Sequence, residues 1–383
     1  MTSELQALVG ADILTPAGML QDHALLFAEG RIEGVTPVSE TPGTARVSRL
    51  DGGLLVPGFI DLQVNGGGGA MLNNAPDLET LRTMSVAHAR IGATSILPTL
   101  ITDTPEVTRR AIAATIAAVN EGVPGIVGLH LEGPHLSQAR KGAHDAALIR
   151  PMAQADLDLL LDTAARLPIL KVTVAPESVT DDQIHAMTQA GIVVSLGHTD
   201  ASFETCQKAA QAGARCVTHL FNAQSQMGNR EPGVVGAALA LGELSAGLIA
   251  DGIHVHPVSA RNAIRAKTGP GCVFLVSDAM ATAGSDIDSF LLNGRQILRD
   301  GNRLTLADGT LAGAHLELLD AVRNVVAFAQ LPLQAAFDMA TRLPADLIGR
   351  SDLGRLAAGA RANVLHVSDH GLLQVWQEGQ ALD

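Results

Sequence analysis

The central part of the chain alternates short apolar runs with longer amphipathic stretches. This alternation is typical of βα units, because buried parallel strands appear in a sequence as nearly continuous hydrophobic runs. A helical pattern precedes every run except the first. The eight runs are Leu55–Val64, Thr94–Pro98, Ile126–Glu132, Lys171–Glu177, Val193–His198, Cys216–Phe221, Gly247–Asp251 and Cys272–Asp278. Eight such units predict an α/β fold, a (β/α)8 TIM-like barrel.

The two ends of the chain have a different pattern, in which shorter apolar runs are separated by turn signals. Near the start, Pro16–Gly18 and Pro42–Gly43 mark turns between small antiparallel strands. Near the end, Ala362–Val367 and Leu372–Trp376 flank a polar turn and predict a hairpin. The predicted domains are a small β-sandwich built from residues 1–55 and 345–383 and a barrel of residues 56–344.

The amino-acid composition disfavours several classes of function. Hydrophobic residues make up 47% of the 383 residues, which is enough to build a core. The net charge of −13 disfavours nucleic acid and anionic membranes as partners, and the 2% of aromatic residues offers little for base stacking. An anionic ligand would therefore need a local basic pocket. We expect a small-molecule partner, no nucleic acid and no membrane.

The cysteines and the first residues of the chain indicate a cellular compartment. Cys206, Cys216 and Cys272 are an odd number without framework spacing, which fits a reducing compartment and predicts no disulfide. Residues 1–6 lack the basic and apolar segments of a signal peptide. We expect a cytoplasmic protein.

Polar residues lie at or just beyond the ends of seven apolar runs. A barrel carries its chemistry at the C-terminal ends of its strands, so these side chains are candidates for one site, although a polar strand end is also common for solubility alone. The seven are Asp61, Glu132, Glu177, His198, His219, Asp251 and Asp278.

Glu132, His198 and His219 end the third, fifth and sixth strands and suggest a metal site. One carboxylate and two imidazoles suit Zn²⁺ or another divalent cation and leave a coordination position for water. Such a cation lowers the pKa of its water from about 15.7 towards 7. Each histidine alone could be structural, and so could His130, which shares the face of Glu132 by strand alternation.

Asp278 ends the eighth strand, which lies beside the first in a closed barrel. A carboxylate there can take a proton from water and deliver it to a leaving group. A helix cap or an ion-pair partner is the alternative interpretation of Asp278.

For an anionic group, the chain offers Asn222, Ala223, Arg230 and His254 after strands six and seven. Arginine suits bidentate contact with phosphate, although Arg230 could equally be a surface charge.

Several motifs together resemble the N-acetylglucosamine-6-phosphate deacetylases, a family within the amidohydrolase superfamily, along most of the chain. They are Pro57–Gly66, His130–His135, Lys141–His144, Gly197–Thr199, Thr218–Ala223, Arg230–Gly236, Ala250–His254, Ser277–Ala279 and Gly309–Gly313. The resemblance implies hydrolysis of N-acetyl-D-glucosamine 6-phosphate to D-glucosamine 6-phosphate and acetate.

The resemblance also implies residue roles. Glu132, His198 and His219 would hold the metal, Asp278 would be the general base and acid, and His144 would polarise the amide carbonyl. Arg230 would come from a partner subunit, which implies a homodimer. The substrate-binding set would be Ala143, His144, Asn222, Ala223, Arg230, His254, Leu311 and Gly313.

Departures from the expected pattern refine these implications. Gln63 and Asn65 stand where many superfamily members carry His-x-His, so we predict one tightly bound metal per subunit, Zn²⁺ first, with Fe²⁺, Co²⁺ or Mn²⁺ also compatible. Whether a second metal ion binds weakly near the two amides stays open. Gln224–Met227 and Ala314–His315 also depart from the pattern, which leaves the choice between gluco and galacto sugars open.

Two other interpretations fit the sequence less well. A cyclic-amide hydrolase of the dihydroorotase kind usually needs His-x-His on strand one and a carbamylated lysine at the end of strand four, but Lys171 lies at the beginning of that strand. A catalytically silent sensor of amino-sugar phosphates would not need three metal ligands together with Asp278.

Overall fold

The structure is a computed structural model that describes residues 4–382. The first segment of the chain forms short strands, as its turn pattern predicts. They are β1 (Gln6–Val9), β2 (Asp12–Thr15), β3 (Gly18–Leu20), β4 (His23–Ala28), β5 (Arg31–Pro37), β6 (Arg46–Arg49) and β7 (Leu54–Pro57). Their pairing is mixed, because β1 pairs with β6 and β2 with β7 in parallel, whereas the pattern predicts antiparallel neighbours.

The barrel follows, and its eight parallel strands are ordered around the sheet as they are in the chain. They are β8 (Phe59–Val64) and, after the short hairpin of β9 (Gly66–Gly67) and β10 (Ala70–Met71), β11 (Ala93–Ile101), β12 (Leu129–Glu132), β13 (Leu170–Val174), β14 (Val193–Leu196), β15 (Cys216–Val217), β16 (Ser245–Leu248) and β17 (Val273–Leu275). A parallel bridge from Val64 to Ala279 brings the end of the last strand beside the first. The predicted (β/α)8 architecture is confirmed.

A helix precedes each barrel strand from β11 onwards, as predicted. The helices are α1 (Leu78–Arg90), α2 (Pro105–Asn120), α3 (Gln154–Ala164), α4 (Asp181–Gln189), α5 (Phe203–Ala212), α6 (Gly233–Ala240) and α7 (Pro257–Ala266). Five of them begin at a side-chain cap. The oxygens of Asp77, Thr104, Thr180 and Ser202 and Nδ1 of His256 accept from amides of the first turn. Within residues 4–382, no helix is long and apolar enough to cross a membrane.

After β17 the chain forms a four-stranded antiparallel sheet that the sequence analysis did not predict. Its strands are β18 (Ser289–Leu292), β19 (Arg295–Asp300), β20 (Arg303–Thr305) and β21 (Leu311–Ala314). The remaining elements are α8 (Leu318–Ala329), α9 (Leu333–Asp338), α10 (Arg342–Leu347), β22 (Val364–Ser368), β23 (Gly371–Gln377) and β24 (Gln380–Ala381).

Strands from both ends of the chain build two small sheets beside the barrel. One has the order β5-β4-β1-β6, and the other, β24-β23-β22-β7-β2-β3, contains the predicted C-terminal hairpin. Phe27, Leu55 and Trp376 belong to a separate buried core formed by strands of the two sheets. The division at residues 55/56 and 344/345 remains a prediction, and residues 1–3 and 383 of the predicted small domain lie outside the described residues.

Candidate active site

Three side chains from three barrel strands converge at the C-terminal mouth. Glu132 ends β12, His198 follows β14 and His219 follows β15. Oε1 of Glu132 lies 3.1 Å from Nε2 of His198 and 3.0 Å from Nε2 of His219, and the two Nε2 atoms are 3.1 Å apart. All three residues are buried. The structure therefore brings together the three metal ligands that the sequence predicts.

The backbone at the mouth adopts unusual conformations. His198, His219 and Asp278 have φ values of 48°, 28° and 51°, in the left-handed region that residues with a Cβ avoid. Such strain is found where a rigid scaffold holds functional side chains in place. The backbone conformation at these strand ends thus directs the three side chains towards the mouth of the barrel.

The donor chemistry of the cluster fits a divalent cation. Nδ1 of His198 lies 2.8 Å from the carbonyl oxygen of Arg140, which can only accept, so Nδ1 carries the proton and Nε2 presents its lone pair. That lone pair faces the Glu132 carboxylate and Nε2 of His219. A bound cation would take the lone pair of His198 and replace the proton of the hydrogen bond between His219 and Glu132, so this cluster could bind a metal ion.

The pKa values of the cluster respond to the same contacts. Burial alone would raise the pKa of Glu132, but the two histidines hold it well below its usual range. Burial would lower the pKa of His219, but the hydrogen bond and charge of Glu132 raise it above the ordinary value. Glu132 is therefore an ionised carboxylate, which is the state that binds a cation.

Asp278 stands across the mouth from the cluster. Burial, followed by the charge of Glu132, raises the pKa of this carboxyl group. Its Oδ1 accepts from Nδ2 of Asn65 at 2.8 Å and from Nε2 of Gln63 at 3.1 Å. A carboxylate with a raised pKa takes up a proton more readily, as a general base and acid requires.

His144 lies beside the cluster, with its ring centroid 4.3 Å from that of His198. Burial, followed by the charge of His198, lowers the pKa of His144 well below its ordinary value, so the imidazole is neutral. Its Nδ1 accepts from the Thr102 amide at 3.3 Å and lies 2.8 Å from Oγ1 of Thr102, a hydroxyl that can donate to the same nitrogen, so the ring proton lies on Nε2. His144 is therefore a neutral hydrogen-bond donor.

A cavity of about 270 Å³ joins these groups. It is lined by every residue of the predicted metal, catalytic and substrate sets except Arg230, which lies on an exposed loop of its own chain. The cavity is also lined by five residues that were not predicted as site residues: Ile101, Ile249, Met280, Leu292 and Thr310. Leu292 comes from the unpredicted sheet, whose apolar alternation carries no chemical signal.

His254 lines the cavity and is held by an acid. Its Nδ1 lies 2.6 Å from Oδ2 of Asp251, whose Oδ1 accepts from the amides of Ile253 and His254 at 2.8 Å each. These contacts fix the ring so that Nε2 is left for a ligand. Asp251, one of the seven strand-end polar residues, thus supports a cavity residue without lining the cavity itself.

Three other polar residues singled out by the sequence analysis lie outside the cavity. Glu177 binds Thr199 and the Asp200 amide, and Asp61 accepts from the Ser277 amide beneath the mouth. His130 is buried in the barrel, where its Nε2 lies 2.7 Å from Oγ1 of Thr173 and its Nδ1 lies 3.2 Å from Oγ1 of Thr99. This is the structural alternative that the sequence analysis left open for His130.

The departures after strands six and eight also lie outside the cavity lining. Gln224 is buried and donates to the carbonyl oxygens of Thr218 and His219, so it braces the strand end that carries a cluster residue. His315 contacts Oγ1 of Thr282 at 3.0 Å. Neither Gln224 nor His315 is therefore placed to contact a sugar in this cavity directly.

Comparison with known proteins agrees with this architecture. The sequence profile of the Amidohydrolase family matches residues 54–378. The chain belongs to this amidohydrolase family. An N-acetylgalactosamine-6-phosphate deacetylase of Shewanella sp. strain ANA-3 is 44% identical over 378 residues, which cover 97% of this chain and 95% of the relative.

Two further relatives are named as deacetylases of the glucosamine derivative. An N-acetylglucosamine-6-phosphate deacetylase of Haemophilus influenzae is 35% identical, covering 94% of each chain. The crystal structure of N-acetylglucosamine-6-phosphate deacetylase from Pasteurella multocida has a TM-score of 0.94 at 34% identity and covers 99% of both chains. This amidohydrolase is thus similar, over at least 94% of its length, to deacetylases named for both sugars.

Proposed function

We propose that this protein hydrolyses the N-acetyl group of N-acetyl-D-glucosamine 6-phosphate, giving D-glucosamine 6-phosphate and acetate in amino-sugar metabolism. The observation that carries the proposal is the convergence of Glu132, His198 and His219 with Asp278 across one cavity. Relatives of matching length that are named as such deacetylases support the substrate class.

The side chains divide the reaction between them. Nε2–H of His144 donates to the amide carbonyl oxygen, where negative charge develops during attack at the acetyl carbon. Asp278 removes the proton from the attacking water and then delivers it to the departing nitrogen. This delivery is necessary because an amine cannot leave as an anion, and the raised pKa of Asp278 favours holding the proton between the two steps.

The cluster of Glu132, His198 and His219 would hold one divalent cation per subunit, which would supply Lewis-acid polarisation and a water of lowered pKa. We propose Zn²⁺ as the native ion, because one carboxylate and two imidazoles match its preferred donors, while Fe²⁺, Co²⁺ and Mn²⁺ suit the same set.

We also propose a homodimer in which the partner copy supplies Arg230 to the phosphate end of the cavity. No arginine or lysine lines the cavity within the described chain, and Arg230 lies exposed on the loop after the His219 strand end. His254, Asn222 and the backbone at Ala223 would share the phosphate and sugar contacts. A cytoplasmic location is proposed from the three free cysteines.

A second candidate substrate is the galacto epimer, N-acetyl-D-galactosamine 6-phosphate, which the 44% identical Shewanella relative favours. The deciding experiment measures free amine from the two epimers and their unphosphorylated forms, using protein of known metal content. A higher kcat/KM for the gluco phosphate supports the first substrate, and a higher value for the galacto phosphate replaces it. Equal rates with and without phosphate would contradict the phosphate end of the cavity.

A further inference from the structure

Two amide side chains hold one oxygen of Asp278. Nδ2 of Asn65 and Nε2 of Gln63 both donate to Oδ1, at 2.8 Å and 3.1 Å. Within residues 4–382, Oδ2 of Asp278 has no hydrogen-bond partner. Oδ1 is therefore engaged by two donors, and Oδ2 is the oxygen that remains to exchange a proton.

The amide of Gln63 also joins Asp278 to the metal-ligand cluster. The same Nε2 atom lies 3.1 Å from Oε2 of Glu132, whereas Oε1 of Glu132 is the oxygen that faces the two histidines. One NH2 group thus lies between two carboxylates and donates a hydrogen to each. Without a donor at this position, the two acids would face each other with only acceptor atoms.

The orientation of both amides follows from the chemistry of their neighbours. An ionised carboxylate only accepts hydrogen bonds, so the NH2 groups must face Asp278 and Glu132. The opposite atoms, Oε1 of Gln63 and Oδ1 of Asn65, are buried without a partner in the described part of the chain. Because unpartnered buried oxygens are unfavourable, the donor contacts to the acids account for this arrangement.

We infer that Gln63 and Asn65 are positioning residues for Asp278, an inference that rests on the proposed deacetylase function. They determine which oxygen of the Asp278 carboxylate exchanges the proton, and they set the distance between this base and the metal-ligand cluster. Asn65 lines the cavity, but Gln63 does not, so Gln63 acts without a place in the substrate-binding surface. Loss of the Gln63 donor is expected to change turnover and to leave substrate affinity unchanged.

The test replaces Gln63 in metal-quantified, full-length protein. Gln63→Met keeps the approximate size and removes the donor, and it is expected to lower kcat at least about tenfold, with KM within about twofold and metal content unchanged. Gln377→Met is the matched control, because Gln377 is also buried and donates to the Thr94 carbonyl oxygen at 3.0 Å, away from the cavity. The control is expected to keep kcat within about twofold of wild type.

A raised KM with unchanged kcat, or a kcat within about twofold of wild type, would overturn the inference. If Gln63→Met does not fold, Gln63→Leu applies the same criteria, since its apolar side chain cannot donate a hydrogen bond. Crystal structures of wild type and variant give a result independent of activity: the Asp278 carboxylate should rotate in the variant, and an unchanged carboxylate would also overturn the inference. Absence of acetate release by wild type would instead count against the proposed function.

Discussion

The backbone amide of Thr102 donates to Nδ1 of His144 at 3.3 Å and thereby determines which nitrogen of that ring carries the proton. Since an amide N–H cannot accept, the donor of a neutral His144 is Nε2, and His144 lines the cavity. The proposed mechanism depends on this tautomer, because only a donor stabilises the negative charge on a carbonyl oxygen.

Removal of this donor should slow the reaction without removing the metal. His144→Ala is expected to lower kcat by about 10² to 10³, the usual cost of losing one donor to a developing oxyanion. The exposed His185 on α4 provides the control variant His185→Ala, which should behave as wild type. Steady-state kinetics with metal analysis of both variants measures the effect, and an unimpaired His144→Ala would remove His144 from the mechanism.

Neutralising Asp278 should abolish proton transfer while the metal-ligand cluster stays intact. Asp278→Asn is expected to retain metal and to lose at least about 10² in turnover. Asp51→Asn, at an exposed position of the small β region, serves as the control. Activity of Asp278→Asn within a few fold of wild type would show that another group moves the proton.

Truncating a cluster histidine should release the ion. His219→Ala is expected to reduce the metal content, measured by elemental analysis, from about one ion per subunit to a small fraction, because two remaining ligands bind divalent cations weakly. Chelation should lower the melting temperature of wild type, since an ion that binds only the folded state stabilises it. Full metal content in His219→Ala would place the ion elsewhere.

Arg230 should act on phosphate recognition alone. Arg230→Ala is expected to raise KM for the phosphorylated substrate at least about tenfold, with a smaller change in kcat, since it removes a charge-assisted contact distant from the amide bond. The exposed Arg110 supplies the control Arg110→Ala. Mixing Arg230→Ala with His219→Ala protein should restore activity if the arginine comes from a partner copy. No restoration in verified mixed dimers would contradict the shared site.

The buried Asp61 should make the protein less stable as the pH rises. Burial, partly offset by hydrogen bonds from Ser277, raises its pKa from 3.8 to about 7. The folded state therefore keeps a proton that the unfolded chain loses between about pH 4 and 7, and the resulting penalty reaches about 4 kcal/mol above that range. Below about pH 4 both states are protonated and the penalty is absent.

Asp61→Asn tests this dependence because the amide has the same shape and no charge. Compared with wild type, its free energy of unfolding should improve by more at about pH 8 than at about pH 5. Denaturant titrations at the two pH values measure the difference, with Asp51→Asn as the control. An equal effect at both values would mean that Asp61 is already ionised in the folded protein at low pH.

The sequence revealed the barrel and the cluster because both depend on local patterns. Strands buried on both faces form continuous apolar runs, and polar residues after Leu196 and Val217 mark the strand ends that meet at the mouth. The sheet from Ser289 to Ala314 was not predicted, because its alternation of apolar and polar residues resembles that of any surface strand. The amide of Thr102 and the carbonyl oxygen of Arg140 contact the site histidines through backbone atoms, which a residue type does not reveal, and the Thr102 hydroxyl adds a side-chain contact to His144.

The most direct test of the central claim measures acetate and free amine released from N-acetyl-D-glucosamine 6-phosphate by protein whose metal content is varied from none to saturation. The account predicts equal amounts of both products, at a rate that rises in proportion to the ion bound and levels off at about one per subunit. Fully loaded wild-type protein that releases neither product, or a rate independent of the bound ion, would contradict it.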